Sequence, residues 1–105
     1  AGLEDVGLGQ LRVLLPLPPG RYRVRLHFAE MLARVPGVRK FDVVLQGERV
    51  LESFDILKEA GFARAIVKDF EASVVNGVLE IGFERSKGQS VEAPKISAIE
   101  VIKLD

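Results

Sequence analysis

A chain of 105 residues, with fifteen basic and fifteen acidic side chains, one histidine and no cysteine, is sized for a single domain, residues 1–105, with a modest core. Balanced charge argues against nucleic acid and anionic membrane as partners, and the missing cysteines exclude disulfides, thiol catalysis and cysteine-bound zinc. No apolar run reaches membrane-spanning length, and "AGLEDVGLGQ" has neither the basic start nor the apolar stretch of a signal peptide. Residues 1–10 are expected to be loosely ordered.

From residue 11 onward the chain reads as short strands with breakers between them. "LRVLLPL" puts Leu11, Val13, Leu15 and Leu17 on one face, and "PPG" at 18–20 ends it. "YRVRLHF" alternates cleanly, with Tyr22, Val24, Leu26 and Phe28 inward and Arg21, Arg23, Arg25 and His27 outward. Ten residues, Met31 to Lys40, then carry neither a helical period nor a tight hairpin, although Pro36-Gly37 supplies a turn. "KFDVVL" aligns Phe41, Val43 and Leu45 before a turn at Gln46 and Gly47, and "ERVLESF" returns as a short strand.

"DILKEAG" predicts a short helix with Asp55 as N-cap and Gly61 as terminator. "ARAIVKDFEASV" resumes the extended pattern, and Asn76-Gly77 predicts a type I′ hairpin turn. "VLEIGFE" then turns Leu79, Ile81 and Phe83 inward. The last strand, "KISAIEVIKL", has apolar residues on both faces near Ile99 and Val101, which suggests a central position or a bulge. Seven strands and one brief helix predict an all-β fold, an antiparallel β-sandwich of the jelly-roll kind.

The sequence offers little for catalysis. His27 is the sole imidazole, and none of Ser53, Ser73, Ser86, Ser90 or Ser97 sits in a nucleophile elbow. One imidazole and scattered carboxylates make no metal-ligand spacing, and no cofactor motif is present. Glu80 and Glu84 share an outer strand face, which is a solvated position rather than a catalytic pair. The arginine row at 21, 23 and 25 reads as a polar face matched across the sheet by acids such as Glu80 and Glu84.

The ordered series "LHFAE", a ten-residue loop, "FDVVLQGERVL", "FDILKEAG", "VVNGVLEIGFE" and "APKISAIEVIKL" resembles a malectin domain from about Gly20 to Leu104. That resemblance implies a β-sandwich carbohydrate-binding module, not an enzyme. Such modules occur in the secretory pathway or attached to glycoside hydrolases and receptor ectodomains. It further implies recognition of a glucose-rich or related oligosaccharide by loops at one end, with aromatics after "FAE" stacking on sugar rings. Leu32 and Ala33 stand in those aromatic positions here, and Glu92 of "EAPK" stands where the family has an acidic hydrogen-bond acceptor.

By this resemblance the site residues are Met31, Leu32, Ala33, Arg34, Glu92 and Lys95, with Leu32 and Ala33 on the ring-facing side and Arg34 or Lys95 adding polar contacts. Binding without an aromatic platform is expected to be weak. The family's N-terminal third, with further aromatic contacts, is expected to be missing, leaving unpaired sheet edges. Self-association as a homo-oligomer, or docking on a neighbouring domain, is the corresponding expectation. The alternative is a reduced or engineered sandwich that serves protein interaction without sugar. The 31–40 loop either contacts a ligand or partner through Met31, Leu32 and Arg34 or packs Met31 and Val35 over the end of the sandwich.

Overall fold

The computed structural model describes residues 2–4, 10–86 and 92–105. Eight strands and one helix follow in the order β1 (Gly2–Glu4), β2 (Gln10–Pro16), β3 (Gly20–Ala29), β4 (Phe41–Leu45), β5 (Glu48–Phe54), α1 (Ile56–Ala60), β6 (Ala65–Val74), β7 (Val78–Arg85) and β8 (Ala98–Lys103). They form two layers: a five-stranded sheet ordered β1-β2-β7-β4-β5 and a three-stranded sheet ordered β6-β3-β8, with every strand pair antiparallel. The expected all-β sandwich with one short helix is what the chain builds.

Alternation places the core where the sequence put it. Tyr22, Val24, Leu26 and Phe28 of β3 are buried, as are Phe41, Val43 and Leu45 of β4 and Leu79, Ile81 and Phe83 of β7. Phe28, Phe41 and Phe54 meet in one cluster with ring centroids 4.9 to 5.8 Å apart, tilted or edge-on as aromatic quadrupoles prefer. Tyr22 is buried and keeps its hydroxyl satisfied by donating to the Pro18 carbonyl at 2.6 Å. Helix α1 begins at Asp55, whose carboxylate accepts from the Lys58 amide, and ends at Gly61, which sits at φ 92.

Three expectations change. Residues 2–4 are held: their backbone forms β1 against β2, while residues 1 and 5–9 lie outside the described residues. Asn76-Gly77 does not make a hairpin, because β6 and β7 belong to different sheets and only Gly77 has positive φ. The turn with positive φ at both central residues is Gln46-Gly47, at 51° and 81°, joining the paired strands β4 and β5. Strand β8 is at an edge of its sheet, not at its centre, and it pairs with β3 without a register break. Its apolar residues on both faces therefore need another reason.

The arginine row is also matched differently. Arg21 meets Glu71 and Asp105, Arg25 meets Asp69, and His27 Nε2 lies 2.6 Å from Glu100. Glu80 and Glu84 are in the other sheet, beside Arg12 and Arg49. Alternation identified the face; only the layer order assigns its partners.

Candidate functional site

Strand β3 keeps its inward positions at even numbers, and the next one after Phe28 is Glu30. A carboxylate there is fully buried, with no exposed surface, and must be satisfied locally. Its Oε1 accepts from Arg39 Nε at 2.7 Å, and its Oε2 accepts from the amides of Leu32 and Ala33, each at 3.1 Å. Burial pushes the Glu30 pKa up, but the Arg39 hydrogen bond, the two amides and the Arg39 charge outweigh it and hold the carboxyl below its usual value of 4.5. Residue 30 also bridges to Phe62, and its carbonyl accepts from the Ala63 amide at 2.8 Å.

Arg39 completes the clamp. Itself buried, it donates from Nη1 to the Ala93 carbonyl, while the Glu92 amide donates to the Val38 carbonyl at 2.9 Å. The 31–40 loop is thereby tied to the 92–93 segment that leads into β8. On its other flank, Asp55 Oδ2 accepts from the Gly37 amide at 2.7 Å. Gly37 has φ 92, the left-handed position that a turn after Pro36 requires. One acid therefore caps a helix and pins a turn.

This frame fixes the outward residues. Met31 is 56% exposed, Leu32 74% and Val35 63%, so Met31 and Val35 are not packed over the end of the sandwich. The guanidinium of Arg34 lies 3.8 Å from the centre of the Phe62 ring. Glu92 is exposed and Lys95 half-buried. Ala33 corrects the expectation of a ring-facing position: it is 8% exposed, drawn down by its amide bond to Glu30.

The structure thus brings Met31, Leu32 and Arg34 to one end of the sandwich and joins their loop to Glu92. Sequence reading missed Glu30, Arg39 and Phe62, and named Asp55 only as a helix cap. The signal for Glu30 was present, as a charge at the fifth inward position of an alternating strand. His27 faces Glu100 on the outer sheet surface, three residues before Glu30 but on the opposite face of the strand. Ser90 lies outside the described residues. Among the described residues no cluster of three or more His, Asp or Glu is arranged to hold a metal ion. None of the described helices is long and apolar enough to cross a membrane.

The malectin domain family matches residues 10–99. This chain belongs to that family. A probable leucine-rich repeat receptor-like serine/threonine-protein kinase of Arabidopsis thaliana is 40% identical over 83% of the malectin chain, which covers 10% of that protein. The chain thus spans about a tenth of the length of the curated relatives it matches. The plant receptor-like kinase ANX2 superposes with a TM-score of 0.84 at 21% identity, over 93% of this chain and 28% of that one. A chain of the complex of the plant peptide RALF23 with FER and LLG2 has a TM-score of 0.79 at 25% identity, covering 91% of this chain and 26% of its own length. The fold is the malectin-like one found in receptor-kinase ectodomains.

Proposed function

We propose that this malectin domain is a non-catalytic carbohydrate-recognition module working through one end of the sandwich, in an extracellular or secretory setting. The observation that carries the reading is the clamp: a buried Glu30–Arg39 pair holds three solvated apolar side chains on a loop bonded to the Glu92 segment. Such a loop keeps its shape without a ligand, which lowers the ordering cost of binding. In this reading Met31 and Leu32 lie against the C–H face of a pyranose, and Glu92 accepts from its hydroxyls. Arg34 and Lys95 donate to ring or glycosidic oxygens. Ala33 contributes through its backbone, not its methyl group. Without an aromatic platform the affinity is weak, on the order of millimolar.

A second reading has its own support. Exposed aliphatics beside an arginine–phenylalanine stack are contacts that a peptide meets as readily as a sugar does. A malectin-like neighbour is recorded in complex with a peptide and a further protein. Amide-resolved NMR titration with glucose-rich oligosaccharides up to about 10 mM tests the first reading. Shifts at Leu32, Ala33 and Glu92 are expected, reduced by Leu32→Ser and Glu92→Gln. A silent titration with every sugar, together with shifts at Met31, Leu32 and Val35 on adding an apolar peptide, transfers the site to the second reading.

A further inference from the structure

Asn76 is the sole asparagine of the chain, and a glycine follows it. The pair lies in the 75–77 crossover between β6 and β7, which belong to different sheets, so no ladder runs along it. Val75 is 82% exposed, and Asn76 is exposed beside it. Among the described residues nothing bonds the Asn76 side-chain amide or accepts from the Gly77 amide. The bond made here runs from the Leu17 amide to the Gly77 carbonyl, at 3.0 Å. Gly77 sits at φ 84 and has no β-carbon to shield its nitrogen. Gln46-Gly47 is the contrast, another side-chain amide followed by a glycine. There Nε2 donates to the Ser73 and Val78 carbonyls and Oε1 accepts from the Glu80 amide, so the group is held.

We propose that Asn76 is a site of spontaneous covalent modification, converting to isoaspartate and aspartate through a succinimide. The Gly77 amide gives up its proton to hydroxide, and its nitrogen adds to the Asn76 side-chain carbonyl carbon. The bond from that carbon to the side-chain nitrogen then breaks, and ammonia leaves after taking a proton from water. The ring so closed is opened by water at either carbonyl. Opening at the backbone carbonyl leaves the chain running through the side chain, as isoaspartate; opening at the side-chain carbonyl gives aspartate. Nothing is oxidised or reduced, and hydroxide and water are the only reagents. Ring closure needs the Asn76 side chain and the peptide after it to turn toward each other, which a bonded amide or a laddered nitrogen resists. Asn76-Gly77-Val78 also lacks the Ser or Thr that directs N-glycosylation, so no glycan caps this amide in a secretory setting.

Position confines the effect. Strand β3 pairs Ala29 with Ala65 and Gly20 with Val74, so β6 carries the 75–77 crossover to the pole opposite the Glu30 clamp. Gln46 bonds the carbonyls of Ser73 and Val78, one on each side of the crossover, and holds its two ends while the segment between them changes. Isoaspartate lengthens the main chain by a carbon between residues 76 and 77 and adds a carboxylate. The contact that this extra length displaces is the Leu17–Gly77 bond, which follows the last β2–β7 pair, Pro16 with Val78. The chain thus carries a slow, hydroxide-driven change of charge at one pole and keeps the geometry of the candidate site at the other.

Incubation of the intact folded chain at neutral and mildly alkaline pH, followed by peptide mass analysis with electron-transfer fragmentation, tests this. The Asn76 peptide should gain the mass of an amide-to-acid exchange, with isoaspartate the main product, at a rate rising in proportion to hydroxide. That rate should lie within about tenfold of the rate for the same chain in strong urea, because no contact in the fold restrains ring closure. Gln46 should stay intact throughout, and Asn76→Gln should abolish the conversion. In the converted chain the Leu17 amide should exchange faster, while the Leu32 and Ala33 amide signals stay in place. A folded rate more than about tenfold below the urea rate overturns the proposal. So does a mass gain that maps to Gln46 instead of Asn76. Movement of the Leu32 and Ala33 signals on conversion would overturn the separation of the two poles. If Asn76→Gln fails to fold, the folded-to-urea comparison on the unsubstituted chain still decides.

Discussion

The carboxylate–arginine contact means different things in two regions of the domain. At the recognition end, Glu30 and Arg39 are both buried and hold a ten-residue loop to two other segments. On the outer face of the three-stranded sheet, Arg21 with Glu71 and Arg25 with Asp69 repeat the chemistry with side chains near half-exposed. Water and salt screen the outer pairs, and two flexible side chains must be ordered for each. At the buried pair there is no water to take over a lost partner. The same contact is a constraint on structure in one region and a solvated surface in the other.

The largest effect expected is at the clamp. Glu30→Ala or Arg39→Ala leaves one buried charge without its partner and should cost about 3–5 kcal/mol in urea unfolding. Amide signals of residues 31–38 should broaden or scatter along with it. The double replacement Glu30→Leu with Arg39→Met removes both charges, and should recover most of that stability while leaving the loop amides of Leu32 and Ala33 without an acceptor. A single replacement costing under about 1 kcal/mol would place the clamp in the same class as the surface pairs. Asp55→Ala comes next, at about 1–2 kcal/mol, since it removes a helix cap and the acceptor for Gly37 together.

Acid sharpens the comparison. The folded state holds Glu30 below 4.5, so as pH falls the unfolded chain takes up the proton first. The stability that Glu30 contributes is complete above about 4.5 and is lost as pH drops through the lower, folded value. Glu30→Gln should remove this part of the pH dependence in thermal melts recorded from neutral to acid pH; an unchanged acid profile would deny the carboxylate its role. Arg25→Ala should cost only about 0.2–1 kcal/mol, less at high salt. Leu32→Ser should fall within about 0.5 kcal/mol of the parent, because the side chain is mostly in water. Its effect belongs in the ligand titration instead.

Legibility differed between these regions for a physical reason. Period-two alternation reports which residues of a strand face the core, and it named Phe28, Phe41 and Phe83 as well as the solvent side of Arg21, Arg23 and Arg25. It says nothing about which strand lies alongside which, so Glu80 and Glu84 were matched to the wrong sheet. Asn76-Gly77 announces a reversal, and the reversal occurs, but the chain uses it to cross between layers. The loop was least legible, because its order comes from contacts with residues far away in sequence: Arg39 with Ala93, Val38 with Glu92, and Gly37 with Asp55. Ala33 shows the cost of that blindness, since its burial follows from one amide bond to Glu30.

Taken alone, the order of residues determined strands β2 to β8, their buried faces, the capped helix and membership of the sandwich class. Those are local or periodic properties that one segment carries within itself. The tertiary structure decided the layer order, the edge position of β8 and the clamp beneath the 31–40 loop. Each of these depends on which distant groups come within bonding distance once the two layers close. A buried carboxylate finds its partner only in three dimensions.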